Sequence, residues 1–240
     1  MNIYALQTAR AGSKSVPNKN ILEISGHPLY LHNILHAKKS NYINDTFVST
    51  DCSFIVDNSK KHDYKIIKRP AELCTDTASH HEAIKHGLLK IEENIGEKVD
   101  ILIVLLGNTM TAYPKQMDHA IDWMLENDEI DSVQSISEFN MFNPFRALEI
   151  TENGNLRTIM KQQDIKKRAL LDNINDKNSA GNVYYSNGSF QVCRRRAIMG
   201  TGQLPFTWLG YRIIPYVQDV CMEIDSKWQL RFLKGYENEL

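Results

Sequence analysis

Six consecutive aliphatic residues, Ile101 to Leu106, constrain this chain more than any other feature. A run that is apolar at every position, and not at alternate ones, suits a strand covered on both faces, as in the centre of a parallel sheet. It is far too short to cross a bilayer. Around it, short apolar runs alternate with amphipathic segments of helical period. The spacing predicts strands at Ile3 to Leu6, Asp45 to Ser49, Lys65 to Lys68, Asp100 to Leu106 and Ser132 to Ile136. Helices are predicted at Pro28 to Lys39, Ser53 to His62, Ser79 to Asn94 and Pro114 to Asn127. That alternation builds βαβ units, so the expected class is α/β with a mainly parallel sheet. Beyond Glu138 the texture changes. Phe145 to Ile150 and Asn182 to Cys193 read as strands, and Lys161 to Asn178 as a loop or helix projecting from the core. No repeat, low-complexity tract or linker interrupts the chain, so one domain over 1–240 is expected, with a protruding dimerisation or acceptor segment around 140–190.

A formal net charge of −1 argues against a general binder of nucleic acid, which usually carries a basic excess. Any positive charge that matters is local. The chain opens without a signal-like segment and carries no membrane-length apolar stretch. Its four cysteines are scattered without metal-type spacing and read as small buried hydrophobes, which suits a reduced, cytoplasmic setting.

The local charge sits directly after the first strand. Ala9-Arg10-Ala11-Gly12-Ser13-Lys14-Ser15-Val16-Pro17-Asn18-Lys19-Asn20 gathers three cations, a glycine and hydroxyl donors in one turn-prone loop. Backbone N–H groups freed at Gly12, together with Arg10, Lys14 and Lys19, make a receptor for several negative charges, a nucleoside triphosphate above all. It is not a Walker A loop, because Ser13 separates Gly12 from Lys14, and Gly12 stands too much alone for a dinucleotide fingerprint.

Three further stretches join it. The Arg10-x-Gly12-Ser13-Lys14 loop with Lys19-Asn20, then Val48-Ser49-Thr50-Asp51, then Arg69-Pro70-Ala71-Glu72-Leu73-Cys74-Thr75-Asp76-Thr77-Ala78-Ser79, and finally Glu223-Ile224-Asp225-Ser226 resemble, in order, the landmarks of the acylneuraminate cytidylyltransferases, the CMP-acid-sugar synthetase family. The resemblance implies a Rossmann-like three-layer α/β/α nucleotide-diphospho-sugar transferase fold, usually dimeric. It implies attack of an acid-sugar hydroxyl on the α-phosphate of CTP with loss of pyrophosphate, in surface-polysaccharide or related biosynthesis. On that match Arg10 and Lys19 take the catalytic role at the leaving pyrophosphate. Ala9, Arg10, Gly12, Ser13, Lys19, Asn20, Arg69 and Ser79 bind the nucleotide. Arg146, in Asn143-Pro144-Phe145-Arg146, and Asn187, before Gly188, face the acceptor. Glu223 and Asp225, expected on alternate residues of a strand end, hold Mg²⁺, an ion suited to hard carboxylate oxygens. His80 and His81, without metal partners at sensible spacing, read as surface residues.

The chain also departs from the family pattern. Where members read Leu-Gln-Pro-Thr-Ser-Pro-Leu-Arg, it reads Leu106-Gly107-Asn108-Thr109-Met110-Thr111-Ala112-Tyr113. Tyr185 stands where many members have an arginine, and Glu223 replaces the first metal aspartate. These changes point to an altered acceptor pocket for a nonulosonic or related acid, or for a phosphonate- or phosphate-bearing small acid. A non-catalytic nucleotide-binding protein and a sugar-1-phosphate nucleotidyltransferase are the rival readings.

Overall fold

The structure, a computed structural model, describes residues 1–219, 221 and 223–236. In chain order, β1 (Ile3–Thr8) leads through the cationic loop and a small hairpin, β2 (Glu23–Ile24) and β3 (His27–Pro28), to α1 (Leu29–Ala37). β4 (Asp45–Thr50), α2 (Ser53–Asp57), α3 (Ser59–His62), β5 (Lys65–Lys68), α4 (His80–Ile95), β6 (Ile101–Leu106) and α5 (Pro114–Glu126) follow. β7 (Ser132–Glu138), β8 (Leu148–Ile150), β9 (Leu156–Thr158), α6 (Gln162–Arg168), β10 (Tyr184–Arg194), α7 (Arg195–Met199), β11 (Ile213–Gln218) and α8 (Lys227–Tyr236) complete the order.

Seven strands form one sheet in the order β11-β7-β10-β6-β1-β4-β5. β1 pairs in parallel with β4 and β6, β4 with β5, while β10 runs antiparallel to β6. The aliphatic run is covered on both faces, as its composition requires. Ile101, Ile103 and Leu105 pack with Met117, Ala120, Ile121 and Met124 of α5. Leu102 and Val104 pack with Ile84, Leu88 and Ile91 of α4. The α/β class and the layered, mainly parallel sheet are as expected.

Helix limits follow local chemistry. Ser79 Oγ accepts from Glu82 N at 3.3 Å, the N-cap half of a Ser-x-x-Glu box, and Gly96 at φ +76° closes α4. Gly87 leaves α4 free to press against β1, since a Cβ there would collide with Leu6. The single helix expected over Ser53 to His62 is instead two. At the break Phe54 O accepts from both Asn58 Nδ2 at 2.8 Å and Asn58 N at 3.2 Å, and Asp63 turns left-handed at φ 53°.

The chain divides into two compact units, 1–135 with 187–216 and 221–240, and 136–186 with 217–220. In the second, the strand expected over Phe145 to Ile150 begins only at Leu148. Asn143 Oδ1 accepts from Phe145 N at 2.9 Å, and Pro144 continues the turn as a 3₁₀ helix to Arg146. β8 and β9 form an antiparallel hairpin. Phe139, Phe142 and Tyr185 make an aromatic cluster, with Tyr185 edge-on to both phenylalanines. α6 occupies only the first part of the segment expected as loop or helix.

Candidate active site

The cationic loop is held at its root by the sheet. Ala9 N donates to Ser49 O at 3.1 Å, Thr50 Oγ1 donates to Ala9 O at 2.5 Å, and Gly107 N donates to Thr8 O at 3.0 Å. Ala9 is thereby buried between the ends of two strands. Gly107 is needed there: a Cβ on it would stand 2.7 Å from Ala9 Cβ. The glutamine of the family pattern does not fit without moving the loop.

Beyond Ala9 the loop turns on Gly12, at φ +73°, and on Asn18, left-handed at φ 56°. Val16 is buried and anchors the loop, while Asn20 Nδ2 donates to Arg10 O at 2.9 Å. Arg10, Ala11, Gly12, Ser13, Lys19 and Asn20 then line a recess of about 30 Å³. The structure thus brings together five of the residues named for nucleotide binding, Arg10, Gly12, Ser13, Lys19 and Asn20, with Ala9 at their base.

Carboxylates meet this loop at three points. Ala11 N donates to Asp51 Oδ1 at 2.7 Å. Asp76 takes Arg10 on one oxygen at 2.6 Å and Lys14 on the other at 2.5 Å, and Lys14 and Arg10 hold its carboxyl below the usual range. Lys19 pairs with Asp225, 206 residues away in the chain.

The segment carrying Asp225 is not the strand end expected. It is irregular, between β11 and α8, yet its two carboxylates still converge. Ile224 is buried with Ile24, Leu29 and Met110, so Glu223 and Asp225 are displayed on either side of a fixed point. Asn108 Nδ2 reaches Asp225 Oδ1 at 3.2 Å and Glu223 Oε2 at 3.4 Å. Gly188, at φ +69°, leaves room for the longer Glu223 side chain; a Cβ there would lie 2.5 Å from Glu223 Cγ. Burial first, and then the Asp225 charge, push the Glu223 carboxyl above its ordinary value. A desolvated carboxylate beside a second carboxylate, with hard oxygens and one lysine for neutralisation, is a donor set that fits a divalent cation. Among the described residues no group of three or more His, Cys, Asp or Glu side chains is placed to hold a metal ion. Two carboxylates are what Mg²⁺ takes when phosphates and water complete its shell.

Other named residues sit differently. Arg69 turns inward, donating from Nε to Ser49 Oγ at 3.0 Å and from Nη2 to Ser49 O at 2.8 Å, and so braces the strand end beneath Ala9. Ser79 caps α4. Asn187 is buried, its Oδ1 accepting from Ser135 Oγ at 2.7 Å and Ser189 N at 3.1 Å. Arg146 is exposed in the second unit, with Nη1 3.7 Å from Met141 Sδ. His80 and His81, expected as surface residues, are half-buried and engaged in tertiary contacts. His80 Nε2 lies 3.1 Å from Thr8 Oγ1 with its ring edge-on to Trp208, and burial lowers its pKa to about 4. His81 bridges Thr207 Oγ1 and Ile198 O. Both close the gap between α4 and the Trp208 segment, a tertiary contact that no spacing announces.

Two residues of the site escaped the sequence reading. Asn108 was part of a divergent loop. Asn33, wholly buried on α1, donates to Thr109 O at 3.0 Å and Thr109 Oγ1 at 2.9 Å, and accepts from Ala112 N at 3.1 Å. An asparagine inside a helix, where it is intrinsically disfavoured, was the available signal.

The cytidylyltransferase family profile matches residues 5–201. N-acylneuraminate cytidylyltransferase A of Danio rerio is 30% identical over 157 residues, 65% of this chain and 34% of that protein. The CMP-N,N'-diacetyllegionaminic acid synthase of Legionella pneumophila is 28% identical over 200 residues, 83% of this chain and 81% of that one. The match thus spans about a third of the zebrafish protein but most of the bacterial one. In fold, the chain is similar to a CMP:2-keto-3-deoxy-manno-octonic acid synthetase solved with CTP. That likeness has a TM-score of 0.69 at 14% identity and covers 100% of this chain and 99% of the other.

Proposed function

Because the chain belongs to the cytidylyltransferase family, we propose that it transfers CMP from CTP to an anionic acceptor, a nonulosonic or related acid sugar, and releases pyrophosphate. One observation carries the reading: a cation of the glycine-turned loop, Lys19, is paired with a carboxylate from the far end of the chain, beside a second carboxylate. Phosphoryl-type transfer asks mainly for positioning and for charge stabilisation, and these groups supply both. Arg10, Lys19, Ser13 and the loop amides bind the β- and γ-phosphates and stabilise the leaving pyrophosphate. Glu223 and Asp225 hold Mg²⁺, which when bound offsets charge on the phosphate and acceptor oxygens. Ala9 and Arg69 act from below, keeping the loop root in register. Arg146 and Asn187 are proposed on the acceptor side, Asn187 through the shape it gives the Gly188 turn.

The relatives' names, which refer to sialic-type and legionaminic acids, support an acid sugar as acceptor. No helix among the described residues is long and apolar enough to cross a membrane. A cytoplasmic setting is proposed for the enzyme, one that suits four scattered free cysteines. A homodimer is supported by the β8–β9 hairpin. Leu148, Ile150 and Leu156 share one of its faces and are all exposed, whereas Glu149 and Arg157 pair on the other at 2.6 Å.

The test has two parts. CTP with Mg²⁺ at about a hundred times its Kd should raise the melting temperature by roughly 5 °C or more, since a ligand of the native state stabilises by about 2.7 kcal/mol there. Pyrophosphate release should then appear with one of a panel of acid sugars and phosphonates. Lys19→Ala should cut turnover roughly a hundredfold or more, as loss of a transition-state charge contact does, with little loss of stability. Absence of a thermal shift with every nucleoside triphosphate would sink the proposal.

A further inference from the structure

Asn108 lies between β6 and α5 and is 9% exposed. Its backbone oxygen accepts from Ile224 N at 2.9 Å, and its side-chain nitrogen reaches Asp225 Oδ1 at 3.2 Å and Glu223 Oε2 at 3.4 Å. One residue therefore engages three successive residues of a segment that has no regular secondary structure of its own.

Asn108 is itself held firmly. Its neighbour Thr109 is buried, accepts two hydrogen bonds from Asn33, and donates from Oγ1 to Gly188 O at 3.2 Å. Gly188 is the residue whose missing side chain makes room for Glu223. A chain of buried polar contacts thus runs from α1 through the 106–112 loop to both carboxylates.

We propose that Asn108 is the positioning residue that holds Glu223 and Asp225 together as one divalent-cation site; the proposal rests on reading those carboxylates as metal ligands. The chemistry favours an amide. Two close carboxylates repel, and each can rotate away from the other. An NH₂ group shared between them offsets the repulsion and fixes both rotamers without adding charge. It occupies one lone pair on each and leaves other oxygen sites for a cation. A lysine at this position would neutralise the site, and an apolar residue would leave it splayed. Outer-shell partners of this kind typically change metal affinity by about 10- to 100-fold.

The experiment titrates Mn²⁺ alone onto the full chain and follows the free ion by electron paramagnetic resonance. Wild type should bind Mn²⁺, and Asp225→Asn should not. Asn108→Ala should bind it roughly 10- to 100-fold more weakly while its melting temperature in EDTA stays within a few degrees of wild type. Its turnover should recover at high Mg²⁺, shifting the activation midpoint and not the plateau. Mn²⁺ affinity within twofold of wild type in Asn108→Ala overturns the proposal. If that variant does not fold, Asn108→Ser is read by the same criterion. Mn²⁺ binding that survives Asp225→Asn would instead overturn the metal reading itself, whatever Asn108 does.

Discussion

Asp76 sits on two cations of the donor loop, and a triphosphate would have to take Arg10 and Lys14 from it. Both pairs are solvent-accessible, and such pairs are weak. Their consequence is therefore competition and not stability. Asp76→Asn should tighten CTP binding roughly three- to tenfold at low salt, an advantage that shrinks as salt screens the loop. Calorimetric titration checks it: equal or weaker binding would mean that Asp76 prepares the cations for phosphate instead of withholding them. At this scale much was legible. Arg10, Lys19 and Gly12 announce an anion receptor because charge and a left-handed turn occur in the same few residues. Arg69 was legible as part of the site but not as its brace, since nothing in Arg69-Pro70 says that the guanidinium turns inward to Ser49. Asn108 was illegible because its partners lie 115 and 117 residues away.

Among the elements, α4 joins the most distant parts of the first unit. Its Glu92 is almost fully buried, donating nothing and accepting from Arg195 Nε at 2.6 Å, Val99 N at 3.1 Å and Lys98 Nζ at 3.1 Å. Burial alone would raise its pKa, but Arg195, the Val99 amide and Lys98 outweigh burial and hold it down to about 2, from an ordinary 4.5. A carboxyl depressed in the folded state contributes stability that is complete above the unfolded value and is lost as pH falls through the folded one. The Glu92 contribution should therefore fade between about pH 4.5 and pH 2. Glu92→Gln should lose stability at pH 7 and show a flatter decline over that window, measured by chemical denaturation at each pH. A parallel decline in both proteins would refute the assignment. α4, α5 and the strand they cover were readable from period alone. α2 and α3 were not separable, because the break at Asn58 keeps the i→i−4 hydrogen bond to Phe54 O and falls at a position where average propensity says little.

For the whole molecule, the apolar hairpin face makes the assembly testable. Ile150 is 76% exposed and Leu156 67%, too apolar a face to leave in water without cost. Sedimentation should give a dimer for the wild type and a monomer for Ile150→Asp/Leu156→Asp, with the thermal response to CTP retained. A wild-type monomer would remove the dimer from the proposed function. The fold class followed from the sequence by itself, because an aliphatic run covered on both faces and flanked by amphipathic segments has few other solutions. The grouping of the loop's cations around a left-handed glycine followed too, because those residues are contained in twelve consecutive positions. Only the tertiary structure decided that Glu223 and Asp225 converge without a strand, that Asn108 spans them, and that Gly107 must be small against Ala9. These are contacts between segments remote in the chain, and period, composition and turn chemistry are all local quantities. The sheet is what brings such segments within hydrogen-bonding distance.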